Sequence, residues 1–307
     1  MQRDIGDVVR SSAPEWTGRP ERSSPWANRL AVRLALAAGR PVTRFLLLLP
    51  ICLYFFVFSP ADRSASRKFL RRALEREPGT RDVFRHFWTF ASTILDRLYL
   101  LDGQFLRFDV RTQGEQILTE MLARDEGCLL MGAHLGSFEI LRFLGREHEG
   151  VRVSLVMYED NARKLNTVLD AIDATRAMPV IALGKIDSML KVQESLARGE
   201  FTGILADRTI AGEGTMSLPF FGEAAQFPIG PFRLAAMLKC PVVTMFGLYR
   251  GGNRYDAHFE LLADLRETER GQRAAAMEKV QRHYVERLEH YCRLAPYNWF
   301  NFYDYWK

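Results

Sequence analysis

Cysteine is scarce in this 307-residue chain: four residues, Cys52, Cys128, Cys240 and Cys292, lie far apart and follow no CxxC or zinc-finger spacing. That excludes a disulfide-framed miniprotein and a cysteine-built zinc site. Each cysteine sits in or beside an apolar segment, so buried free thiols in a reducing compartment are expected. The sequence also lacks a GxSxG elbow, a Walker A loop and a GxGxxG after a strand, the marks of serine-hydrolase, P-loop and dinucleotide chemistry. No His, Cys and carboxylate cluster has metal-ligand spacing, and neither a metal nor a dissociable cofactor is expected. Internal repeats and low-complexity stretches are missing too, and a mean hydropathy of −0.14 excludes a polytopic membrane protein.

What is present is ordinary in bulk and uneven in placement. The chain is 48% hydrophobic and 26% charged, near the average of folded domains, and long enough for one large domain or two small ones. Its net charge of +5 is concentrated in residues 1–72, where thirteen Lys and Arg face five Asp and Glu. A basic front end on a mildly acidic body points to an anionic surface, membrane or nucleic acid. The apolar run Phe45–Phe58, FLLLLPICLYFFVF, decides between them. It is bracketed by Arg33, Arg40 and Arg44 on one side and Arg63, Arg67, Lys68, Arg71 and Arg72 on the other.

Fourteen residues are short of the roughly 20 that a spanning helix needs, and Pro50 is expected to kink the run. The preceding WANRLAVRLALAA sets apolar residues on one helical face and Arg29 and Arg33 on another, as interfacial helices do. The reading is monotopic attachment to an anionic leaflet, with a buried core helix as the alternative. The run starts late and has no small-residue cleavage site after it, unlike a secretory signal peptide. Nucleic acid is not expected, because the basic residues surround aliphatic side chains and not exposed stacking aromatics.

Residues 1–25 read as a flexible polar tail, 26–60 as the amphipathic and hydrophobic anchor, and 61–307 as the main domain. Two helical segments between Ser64 and Leu101 are split by Pro78-Gly79-Thr80. Strands are then predicted at Phe105–Arg111, Cys128–Ala133, Val151–Tyr158, Pro179–Leu183, Thr202–Ala206, Val242–Leu248 and near Asp256–Leu262. Helices are predicted between them at Gly114–Arg124, Ser137–Arg146, Asn161–Ala174, Ile186–Ala197, Phe232–Leu238 and about Glu267–Leu294. This alternation implies an α/β fold with a mostly parallel sheet flanked by helices.

The chemistry-bearing stretch is Cys128-Leu-Leu-Met-Gly-Ala-His134-Leu-Gly-Ser-Phe-Glu139. A strand ends in a histidine, and a carboxylate follows five residues on. Gly136-Ser137 can turn the chain so that the two side chains meet, with Ser137 as a helix N-cap. A carboxylate so placed fixes the tautomer of an imidazole acting as general base. Such a spacing also arises readily by chance in a chain with six histidines and 37 acidic residues, so a capping Glu139 and a packed His134 are the alternative. The strand-end position favours function. Of the other histidines, His86 among aromatics reads as packing, His148, His283 and His290 as solvated, and His258 as part of a strand.

A second strand breaks into Asp207-Arg208-Thr209, followed by Gly212, Gly214, Phe220-Phe221-Gly222 and Phe227. Arg208 in that setting suits an anion, with Asp207 fixing it, while an Asp–Arg ion pair shaping a loop is the alternative. The phenylalanines suit either an acyl pocket or core packing. Gly136 and Gly222, with Gly132, could let a substrate approach the backbone.

Together these segments resemble the lysophospholipid acyltransferase superfamily, and within it the branch of lauroyl/myristoyl acyltransferases that complete lipid A. The superfamily's His-x4-acid signature is matched by His134 and Glu139. The branch's N-terminal anchor is matched by LPICLYFFVFSP followed by SRKFLRRAL, and its strand-end Asp by Asp207-Arg208. Phe220-Phe221-Gly222, Pro228–Ala235 and Cys240–Phe246 follow in the branch's order. The glycerolipid members' Phe-Pro-Glu-Gly-Thr element is absent. The ending Tyr297–Lys307, with seven aromatics in eleven residues, looks more like relatives associated with aryl-polyene and other glycolipid-like products. That tail is either an aromatic plug for the core or a substrate contact.

The resemblance implies a glycerolipid-acyltransferase-like fold. It also implies transfer of a fatty acyl group from a thioester, carried by acyl carrier protein, to a hydroxyl of a lipid or glycolipid. His134 would be the base and Glu139 its orienting acid, with Asp207, Arg208, Gly136, Phe220, Phe221 and Gly222 on the substrates. The expected place is the cytoplasmic face of a bacterial inner membrane. A lipid-binding protein that has lost catalysis and a lipid hydrolase are the competing functions.

Overall fold

Cys128–Gly132 forms a strand in which all five residues are buried, with Leu129 and Met131 joining one apolar cluster and Cys128 and Leu130 another. That division is the period-two alternation of a strand covered on both faces, and it places this strand at the centre of the sheet. The structure is a computed structural model and describes residues 25–141, 143, 151–158, 179–183, 187–209 and 212–307. In chain order the described strands are β1 (Asp109–Gln113), β2 (Cys128–Gly132), β3 (Val153–Tyr158), β4 (Val180–Leu183), β5 (Phe201–Leu205), β6 (Thr215–Phe220), β7 (Glu223–Pro228), β8 (Pro241–Gly251) and β9 (Arg254–Asp264).

Seven of them make one sheet in the order β1-β9-β8-β2-β5-β3-β4. Strands β8, β2, β5, β3 and β4 run parallel, β9 is antiparallel to β8, and β1 is parallel to β9. The mostly parallel α/β architecture read from the sequence is therefore present. The β6–β7 hairpin is a separate antiparallel pair, absent from the strands predicted from the sequence. Its two-residue turn puts Phe221 at φ 54° and Gly222 at φ 79°, the pair of positive φ values that a type I′ hairpin turn requires. The predicted first strand is also shifted: Phe105–Arg107 is a 3₁₀ turn with Leu106 on the surface, and pairing begins at Asp109.

The helices preceding the sheet are α1 (Pro25–Ala38), α2 (Arg40–Thr43), α3 (Leu49–Phe58), α4 (Pro60–Leu74) and α5 (Thr80–Leu101). Those within and after it are α6 (Gln116–Ala123), α7 (Ser188–Ala197), α8 (Gly230–Leu238) and α9 (Arg273–Leu294). Helix α5 lays Leu95, Tyr99 and Leu100 in the cluster with Leu130, Phe201 and Val243. Helix α9 lays Val280, Tyr284 and Leu288 in the cluster with Leu129, Met131 and Phe246. The α4–α5 break falls at the predicted Pro-Gly-Thr, where the Asp82 carboxylate accepts from the Gly79 N–H at 2.9 Å. All four cysteines are buried and unpaired, as the sequence indicates. The predicted helix Asn161–Ala174 lies outside the described residues, and of Ser137–Arg146 the structure describes a 3₁₀ turn, Phe138–Ile140, followed by Leu141 and Phe143 in helical conformation.

Helices α2 and α3 are joined by a π turn at Arg44–Leu48, and together form an apolar run over Arg40–Phe58. The run has 19 residues and a mean hydropathy of 2.0, long and apolar enough to cross a membrane by length and composition. Pro50 does not end it. Proline lacks an N–H and would press on the carbonyl four residues back, and the wider π turn relieves both conflicts. Only 11% of the run is buried within the protein, which excludes the buried core helix. Phe45, Leu46, Ile51, Tyr54, Val57 and Phe58 are all more than half exposed. The run's start is nonetheless pinned to the domain. Arg40 meets the fully buried Asp96 of α5 through two nitrogens at 2.6 and 2.9 Å, and the Tyr255 hydroxyl of β9 donates to the same carboxylate at 2.8 Å.

Candidate active site

The β2–β5 register sets the site. Gly132 pairs with Leu205, and the Ala206 N–H donates to the Gly132 carbonyl at 3.0 Å. Two residues beyond each strand, at the carboxyl edge of the parallel sheet, His134 and Asp207 therefore stand side by side. Asp207 Oδ1 lies 2.8 Å from His134 Nδ1, and both carboxylate oxygens lie 3.1 Å from the His134 backbone N–H. An ionised carboxylate only accepts, so Nδ1 carries the proton and Nε2 is left as the imidazole's basic atom.

The expectation that Glu139 orients His134 is corrected here: the carboxylate on His134 is Asp207. Parallel pairing makes residues 134 and 207 lateral neighbours, whereas Glu139 is carried off in the 3₁₀ turn Phe138–Ile140. There Glu139 Oε1 pairs with Arg97 of α5 at 2.6 Å, and the Ser137 hydroxyl donates to Oε2 at 3.4 Å. Ser137 holds the N-cap position of that turn without a side-chain capping bond. Asp207, expected to fix Arg208, acts on it as a neighbouring opposite charge and shares Asn301 with it. The Arg208 guanidinium donates to Asn301 Oδ1 at 2.7 Å and to the Phe300 carbonyl at 2.9 Å.

Burial on its own would raise the Asp207 carboxyl, but His134, Arg208 and the Asn301 amide outweigh it and bring it down to about 2. His134 moves the other way. Desolvation first, and then the Arg208 charge, lower it below the ordinary histidine value against the pull of Asp207. At neutral pH the pair is a carboxylate beside a neutral imidazole, the state a general base needs.

His134 opens on a cavity of about 1070 Å³. Its walls are largely apolar, with Leu155, Met157, Leu183, Leu234 and Met237 among them, while Glu139, Arg97 and Arg208 line it with His134. Phe138 also lines it, and its ring fills the places where Gly132 and Gly203 lack side chains: a Cβ on either would fall 2.6–2.7 Å from a ring carbon. Phe55 of the exposed apolar run, with Phe90 and Ile94 of α5, belongs to the same cavity and is part-exposed on the outer surface. A lining of this size and character fits a long acyl chain beside a few polar groups.

The remaining candidates are placed differently. Gly136, at φ 69°, lines the cavity, but its missing side chain is required by the neighbouring chain, since a Cβ there would stand 1.9 Å from the Gly247 carbonyl oxygen. Phe220 is fully buried, with rings of Phe227, Trp299 and Trp306 around it, and Phe221 packs beside it. Neither they nor Gly222, in the hairpin turn, line the cavity. His86 is buried packing, as expected, stacked on Phe302 with ring centres 4.7 Å apart. His258 lies in β9, His283 and His290 are exposed, and His148 is outside the described residues. Among the described residues no group of three His, Cys, Asp or Glu side chains is arranged to hold a metal.

Sequence reasoning missed Arg97 and the polar work of the aromatic tail. No local pattern marks an arginine on an amphipathic helix, but the shared strand-end position of His134 and Asp207 was a usable signal for their pairing. The tail is both plug and lining. Trp299 and Tyr305 are buried, while Phe300, Phe302 and Tyr303 face the cavity.

The family model of the bacterial lipid A biosynthesis acyltransferases matches residues 87–307, a span that holds His134, Glu139, Asp207, Arg208 and the tail. No curated protein matches the chain. With that match over most of its length, and an imidazole–carboxylate pair at the edge of a large apolar cavity, the chain belongs to the bacterial lipid A biosynthesis acyltransferase family.

Proposed function

We propose that the protein transfers a fatty acyl group from a thioester, carried by acyl carrier protein, to a hydroxyl of a membrane lipid or glycolipid. The observation that carries this reading is the His134–Asp207 pair, 2.8 Å apart, with the imidazole at the wall of the apolar cavity. As the acceptor oxygen attacks the thioester carbonyl, His134 Nε2 takes the hydroxyl proton. A C–O bond forms, the C–S bond breaks, and the proton passes to the departing thiolate. Asp207 holds the ring and stabilises its protonated form. No acyl-enzyme is needed.

Arg208 at the cavity wall is suited to the developing oxyanion or to an acceptor phosphate. Glu139 holds Arg97 towards the same space, which gives this acid a role in placing charge near the substrate. The exposed apolar run and its flanking arginines support attachment to an anionic leaflet, which on this reading is the cytoplasmic face of an inner membrane carrying the acceptor. Continuity of the cavity with Phe55 supports entry of a lipid from that side. The basic surface also suits an acidic carrier protein.

Label transfer from radiolabelled acyl carrier protein into bacterial lipid vesicles tests this. Wild type should label a lipid, and His134→Ala, folded by circular dichroism, should transfer at least about a hundredfold more slowly. Release of free fatty acid without a labelled lipid would make the protein a hydrolase. Binding of lipid with no turnover would make it a lipid carrier.

A further inference from the structure

The C-terminal aromatic tail supplies two hydrogen-bond donors to the carboxylate that holds His134. The Trp299 indole N–H and the Asn301 side-chain amide each donate to Asp207 Oδ2 at 3.0 Å, and the Tyr305 hydroxyl donates to the Asp207 backbone carbonyl at 2.6 Å. Asp207, Trp299 and Asn301 are all buried. We propose that Trp299 and Asn301 are positioning residues: by occupying Oδ2 they turn Oδ1 to His134 Nδ1 and keep Nε2 aimed at the cavity. The proposal rests on the reading of His134 as general base.

Each donor is itself held in place. The Arg208 guanidinium donates to Asn301 Oδ1, so the amide must present its NH₂ to Asp207. The Trp299 carbonyl, which can only accept, lies 2.8 Å from His86 Nε2, so that nitrogen carries the proton. His86 Nδ1 then accepts from the Ser66 hydroxyl at 2.8 Å. The tail's backbone closes on the same place, with the Phe300 N–H donating to the His134 carbonyl and the Gly136 N–H to the Asn298 carbonyl, both at 2.8 Å. A chain of contacts thus runs from α4 through α5 and Trp299 to the catalytic pair. An indole serving only to fill space would not need its N–H on a buried carboxylate.

The test separates the indole N–H from the indole's bulk. Trp299→Phe keeps an aromatic ring and removes the donor. Trp306→Phe is the matched control, because that indole donates to the Phe220 carbonyl at 3.2 Å. Two quantities are read in each variant: kcat and KM for acyl transfer, and the titration midpoint of ¹⁵N-labelled His134 by NMR, assigned by its loss in His134→Ala.

Removing a donor leaves Asp207 more basic and so favours the imidazolium. For Trp299→Phe the expected result is an upward shift of the His134 midpoint, a matching shift of the acid limb of kcat/KM, and kcat lower by about tenfold or more with KM little changed. Trp306→Phe should move neither midpoint nor acid limb. Asn301→Leu should act like Trp299→Phe and carries the test if the latter fails to fold. Equal losses in both tryptophan variants with an unmoved midpoint would overturn the positioning role. A shifted midpoint with an unmoved acid limb would instead overturn His134 as the base.

Discussion

His134 is made useful by its surroundings more than by its place in the sequence. Desolvation by the cavity wall and the Arg208 charge hold its proton affinity below the ordinary histidine value, while Asp207 fixes which nitrogen is basic. The sign of the pH dependence follows. On the proposed mechanism the neutral imidazole is the active form, so kcat/KM should be flat through neutral pH and fall as pH drops through a midpoint below 6.5, the ordinary histidine value. A pH–rate profile with its acid limb at or above 6.5 would contradict this. At this scale the sequence was partly legible. His134 could be chosen because it ends an apolar strand, and Asp207 because it ends another. Their pairing needs the β2–β5 register, which no local pattern contains, and the nearer Glu139 drew the assignment instead.

Strands and helices were more legible where one periodicity ran long enough, as in β2, β5, β8 and α9. The β6–β7 hairpin was hidden because its turn is Phe221-Gly222, with a bulky residue at positive φ in place of the usual Asn or Asp. The attachment of the apolar run was hidden too, because Arg40 and Asp96 are 56 residues apart and look like solvated charges. In the fold Asp96 has no exposed side chain and Arg40 is its ionic partner. Arg40→Leu would leave a buried carboxylate without its ion-pair partner, held by the Tyr255 hydroxyl, and should cost about 3–5 kcal/mol. Replacing both residues by leucine should recover most of that loss. Denaturant titration of the two variants checks the order, and a single variant as stable as wild type would show that the pair does not bear on stability.

Across the whole molecule, the cavity, the exposed apolar run and the flanking arginines lie on connected surfaces. Phe55 belongs to both the run and the cavity, so the segment proposed to meet lipid also walls the site. The charge asymmetry that stood out in the sequence is therefore matched by an apolar helix only 11% buried. The tail completes the arrangement from the other end of the chain, carrying its aromatics into the core and its Asn and Trp donors to Asp207. The central claim is that Asp207, and not Glu139, is the acid that works through His134. Its most direct test is the rate of acyl transfer from acyl carrier protein to lipid by folded Asp207→Asn and Glu139→Gln. The account predicts a loss of at least about a hundredfold for Asp207→Asn and a distinctly smaller one for Glu139→Gln. The reverse order, with Asp207→Asn near wild type, would contradict it.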